Sequence, residues 1–214
     1  MGKLSLGEYL KYLERYSRQQ TLTHYVDADH IQSMCHNDDG LSMMAMSASR
    51  SPVTHAQFLP SREVAEWHMM RSRVRARAVD APGCRGNPNA IHRGAISWDP
   101  VTRTSVSLWW VHDFVKQRLY LGKLTVRRRQ GLEFAIRMVF GAAVCEAVHW
   151  RLKEIIAWDP MPRLVAQAEN LAREVGCDMT ATLENRSEMV PCFRWHGDEA
   201  KEVVWTEAEY YGWG

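Results

Sequence analysis

Apolar residues recur at two spacings along the chain, every third or fourth residue in some stretches and every second in others. These are the periods of helix and strand. In "LSLGEYLKYLERY", Leu6, Leu10 and Leu13 with Tyr9 and Tyr16 have helical spacing, which predicts an amphipathic helix. Residues 20–57 show no sustained period and read as loop with a short helix. Pro60-Ser61 opens the next helix, with Ser61 as N-cap and Glu63 in the first turn. Its expected inner face is Trp67, Met70, Val74 and Ala78. "APGCRGNPN" (81–89) is loop by composition. Three strands follow, over Ala90–Trp98, Ser105–Phe114 and Arg118–Val126. Turns at Asp99-Pro100 and Val115–Gln117 make them an antiparallel meander. Residues 131–150 are apolar nearly all round, as expected of a central buried helix. "LKEIIAWDP" (152–160) reads as a strand stopped by Pro160. "RLVAQAENLAREVG" (163–176) is an amphipathic helix with Gly176 as C-cap. "CDMTATLE" (177–184) and "KEVVWTEAEYYGW" (201–213) read as closing strands.

This order predicts an α/β (α+β) domain, a mixed and largely antiparallel sheet flanked by helices. We expect residues 1–54 to be an N-terminal helix and irregular segment docked on a domain spanning 55–214. Composition narrows the partners. At 46% hydrophobic and 24% charged, the 214-residue chain has the balance of an ordinary globular protein. A net charge of +2 supplies no global field for nucleic acid, and "RSRVRAR" (71–77) lacks interleaved aromatics, so it reads as a solvated face. There is no signal-type leader and no apolar run of spanning length, so the expectation is a cytoplasmic protein without a membrane partner. The five cysteines have no CxxC spacing and read as reduced thiols. His24, His30, Cys35 and His36 match no zinc pattern, so no metal is expected. Cys192 reads as a small buried apolar thiol. Nine tryptophans point to an aromatic core or an aromatic-walled pocket.

Several separated patches resemble one family in the right order. They are "FLPSREVAEWHMMRSRV" (58–74), "LWWVHDFVKQRLYLGKL" (108–124), "LKEIIAWDP" (152–160), "SEMVPCFRWHGDEAKEVVW" (187–205) and the terminal "EYYGWG". Together they are similar to the C-terminal half of the fungal lysine N-acetyltransferase family, a branch of the GNAT superfamily. The resemblance covers roughly residues 55–214. It implies a GNAT-like fold. The family's acetyl-CoA signature belongs to a preceding half, so the resemblance implies a relative of the C-terminal half lacking that half.

A GNAT pyrophosphate cradle resembles R/Q-x-x-G-x-G/A, and "RRRQGLEFA" (127–135) follows its outline. Backbone N–H groups at a helix start can hold phosphate. Arg128 and Gly131 fit as anion-binding residues, but Glu133 puts a carboxylate where the last small residue belongs. The bland reading is a solvated basic turn, and it is favoured. "NLAREVG" (170–176) departs too. The GNAT tyrosine acid would fall at Ala172, which has no proton to give. Tyr120, Tyr210 and Tyr211 remain as acids by chemistry alone. Acetyl-CoA or another acyl-CoA is therefore a doubtful cofactor.

On the strand "WWVHDF", Trp110 and His112 share one face, and Trp109, Val111 and Asp113 the other. His112 suits a general base. The bland reading has His112 and Asp113 tie a strand end to a turn. Asp159 follows a strand's carboxyl end, where open sheets gather ligands, with Trp158 beside it as a wall for a cation. The bland reading makes Asp159 a helix cap. The expected site has His112 and Asp159 as catalytic residues, with Trp110, Trp158 and Asp113 against a small amine or amino-acid-like substrate. Its chemistry is related to acyl transfer. Two other classes stand beside it: a non-catalytic domain that homodimerises or pairs with a catalytic subunit, and an enzyme recruited to cyclase or lyase chemistry.

Overall fold

The structure, a computed structural model, describes residues 22–23, 54–56, 62–79, 91–127, 131–175, 179–185 and 203–205, with Glu8 and Lys11 as isolated positions. In chain order its elements are β1 (Leu22–Thr23), β2 (Thr54–Ala56), α1 (Arg62–Ala78), β3 (Gly94–Asp99), β4 (Thr104–Asp113), β5 (Arg118–Arg127), α2 (Leu132–His149), β6 (Glu154–Ala157), α3 (Pro162–Val175) and β7 (Val203–Trp205). The main sheet has five strands in the order β1-β3-β4-β5-β6. Three of its pairings are antiparallel, and only β5–β6 is parallel. β2 and β7 pair parallel as a separate ribbon. The predicted meander, central helix, fourth strand and following helix are all present. Residues 179–184, predicted as strand, are without strand structure. The first amphipathic helix, Gly176 and the 81–89 loop fall outside the described residues.

The sheet is covered on both faces, which explains why β4 is buried almost from end to end. Leu108 and Trp110 join the core made with α2, together with Leu119 and Leu121 of β5. Trp109, Val111 and Tyr120 face the other way and pack on Ala65 of α1. α2 is buried around most of its circumference because α3 covers the side turned from the sheet, through Leu164, Leu171 and Val175.

The α1 expectation needs correcting. Trp67, Met70 and Val74 are 49%, 59% and 57% exposed, and the buried side is Ala65, His68, Ser72 and Ala76. Both stripes have helical spacing. The sheet face beneath α1 already carries Trp109 and Tyr120, so it accommodates small residues. Trp67 instead stands under the Arg71 guanidinium, 5.1 Å from its ring centroid. Nor is the basic stretch simply solvated, since Arg75 Nη1 donates to Asp113 Oδ2 at 3.1 Å.

Between Leu108 and Trp110 the β4–β5 register shifts: Leu108 faces Leu124, but Trp110 faces Leu121. The extra residue lies in β5, a bulge. Gly122 is there for a steric reason. A Cβ on it would lie 2.1 Å from a ring carbon of Trp109, so only glycine leaves room for that indole.

Candidate functional site

Glu146 is the one carboxylate on the buried face of α2, and the helix presents it to the amino end of β3 and the carboxyl end of β4. Its Oε1 accepts from His112 Nε2 at 2.9 Å, Trp150 Nε1 at 2.7 Å and the His92 amide at 3.1 Å. Its Oε2 meets His92 Nδ1 at 3.0 Å. Burial pushes this carboxyl up, but the hydrogen bonds from His112 and His92 outweigh it and hold it at about 2. Glu146 is therefore an anion, fully engaged.

His112 contributes no solvent-facing surface, with a side chain 0% exposed. Burial lowers its pKa, against the pull of Glu146. It is the neutral imidazole, with Nε2–H donating to Glu146. Its rings stack on Phe114 at 5.3 Å and meet Trp150 edge-on at 6.2 Å. His92 differs: its side chain is 52% exposed, and the hydrogen bond with Glu146 raises its pKa. Arg93, next in the chain, is only 6% exposed. Its pKa is lowered to about 10, by burial first and by the charge of Arg73 second.

The expected pocket joining His112 to Asp159 is not assembled. Trp110 lies on the α2 face of the sheet and Trp158 packs on the α1 face, against Tyr120 at 6.0 Å. They cannot wall one cavity because neighbouring faces of a sheet point apart. β6 lies two strands from β4, so His112 and Asp159 are separated by about 10 Å in that direction alone. Trp110 is buried, with Nε1 donating to the His92 carbonyl at 2.9 Å. Asp159 is exposed and holds a left-handed backbone, φ 48°, at the turn out of β6. Asp113 organises a turn: Oδ1 accepts the amides of Val115 and Lys116 at 3.1 and 3.0 Å, and Oδ2 takes Arg75.

At the candidate cradle, Arg128 lies outside the described residues. Gly131 is the N-cap of α2 with φ 71° and no side-chain cap. Glu133, in the first turn, accepts from Gln167 Nε2 at 3.1 Å and lies 3.5 Å from Arg163 Nη1. That carboxylate fastens α3 to the start of α2. Its charge opposes a pyrophosphate at this helix start, and among the described residues Gln167 and Arg163 are directed at Glu133. Ala172 lies on α3 where a GNAT acid would be expected.

Sequence reasoning missed Glu146, His92, Arg93 and Trp150. The available signal was a single charge inside "FGAAVCEAVHW", since a carboxylate on an apolar helix face requires partners.

Among known families, residues 10–214 match the model of the LYC1 GNAT-like C-terminal domain. No curated protein and no solved structure matches the chain.

Proposed function

The chain belongs to the LYC1 GNAT-like C-terminal domain family, and we propose that it serves acyl transfer to an amino-acid-type amine as a supporting domain, not as the domain that turns over the acyl donor. The supporting observation is the state of His112, the best base in the sequence, which is enclosed and committed to Glu146. A general base has to reach the proton it removes within hydrogen-bond distance or through one water. Glu133 at the cradle and Ala172 on α3 agree with this reading. Its partner would be a catalytic subunit or a second copy of the chain.

Isothermal titration with acetyl-CoA tests the reading, followed by an acetylation assay on free lysine and other small amines. We expect neither tight binding nor turnover by the chain alone. Submicromolar binding with turnover would overturn it.

A second reading has one observation of its own. His92 is half exposed, and Glu146 orients its ring. That is the arrangement of an imidazole base steadied by a carboxylate. In this reading the chain is itself an acyl-transfer-related enzyme. Any turnover should then fall by about two to four orders of magnitude in His92→Ala.

A further inference from the structure

We propose that Arg93 and Arg73 form a buried site for a small oxyanion, a carboxylate or a phosphate, where the amino end of β3 meets α1. Arg93 is 6% exposed, and its Nη1 and Nη2 are buried without a hydrogen-bond partner among the described residues. Its main chain is fixed, since its carbonyl accepts the Trp110 amide at 2.8 Å. A buried charge left in this state is expensive, and proteins pair it.

The Glu146 charge acts favourably on Arg93, but among the described residues no carboxylate accepts a hydrogen bond from its Nη1 or Nη2. Both oxygens of Glu146 are used by His112, Trp150 and His92. Asp113 is occupied by Arg75 and two turn amides. A second cation approaches instead. Ala76 of α1 packs with Ile91, which stands two residues before Arg93. Arg73, one turn back from Ala76, is thereby brought to the same edge, and its charge is felt at Arg93. Arg73 Nε is likewise buried without a partner among the described residues, and so is the neighbouring Ser72 Oγ.

These groups share one deficit. They are buried donors with no acceptor among the described residues, and two of the side chains carry positive charge. Water satisfies donors but leaves the charge. An oxyanion satisfies both, and the parallel N–H groups of a guanidinium fork match two oxygens of a carboxylate or phosphate. His92, the residue before Arg93, is half exposed, so solvent reaches this edge of the fold.

The test is thermal melting of the full chain in Hepes at constant ionic strength set with sodium chloride, titrated separately with sodium acetate and inorganic phosphate. A ligand that binds only the folded state raises the melting temperature with a saturating dependence on concentration. We expect saturation in at least one arm, and the arm that saturates at lower concentration assigns the class. Arg93→Met should abolish the effect. If that variant does not fold, Arg73→Gln, at a partly buried position, should weaken binding by about ten- to hundredfold, the equivalent of one charge-assisted hydrogen bond. No rise in either arm would overturn the proposal and leave water as the partner of Arg93. A rise of equal size in wild type and Arg73→Gln would overturn it as a general salt effect.

Discussion

Four hydrogen bonds converge on the Glu146 carboxylate, and those from His112 and Trp150 come from buried side chains. Glu146→Ala should therefore be the most damaging change in this cluster. His112→Ala should cost about 1–3 kcal/mol, the penalty of an unpaired buried partner, measured by urea unfolding. Acid should act through the same residue. A carboxyl held at about 2 against an ordinary 4.5 contributes stability on the order of 3 kcal/mol. That contribution is complete above pH 4.5 and is lost as pH falls towards 2. Glu146→Gln should flatten this acid limb. The two histidines act in opposite directions. His112, with its pKa lowered, refuses a proton that the unfolded chain accepts, so it erodes stability below pH 6.5. His92, with its pKa raised, adds stability that is complete below pH 6.5 and is lost as pH rises through its folded value. His92→Ala should remove the loss of stability that sets in as pH rises above 6.5 and leave the decline below pH 6.5 in place, read from urea midpoints on both sides of that value. Little of this was legible in the sequence. His92 and His112 lie 54 and 34 residues from Glu146, and nothing local pairs them.

At the scale of elements, period and turn chemistry did most of the work. The alternation in "WWVHDF" places Trp110 and His112 on one face and Trp109 and Val111 on the other, as observed. α1 shows where period fails. Two stripes had helical spacing, and the more apolar one faces out because the sheet beneath is already full. Only the opposing element decides such a choice. The bulge in β5 was equally invisible, since Gly122 reads as an ordinary strand glycine until Trp109 is placed over it. Gly122→Ala should destabilise by about 1–3 kcal/mol through overpacking. Combined with Trp109→Leu, which empties the space, it should cost less than the two single changes added together. A strictly additive pair in urea unfolding would rule out this account of the bulge.

For the whole molecule, the mixed sheet and its helices followed from the order of elements, and the family followed from scattered patches spread through the chain. The expected site did not survive folding, because Trp110 and Trp158 were joined by chemical type and the sheet set them on opposite faces. Among the described residues, no helix is long and apolar enough to cross a membrane. The domain is instead organised as layers, α1 on one side of the sheet and α2 with α3 on the other.

Trp109 and Trp110 are successive residues, each about 1% exposed, and they belong to different layers. A single peptide unit thus carries two indoles that sense separate halves of the molecule. Fluorine-labelled tryptophan would give each its own resonance. Loss of the Trp109 signal would time the departure of α1, and loss of the Trp110 signal would time the opening of the α2 core. Coincident loss would mean that the layers melt as one cooperative unit, and staggered loss would expose a partly folded state with one face of the sheet bare.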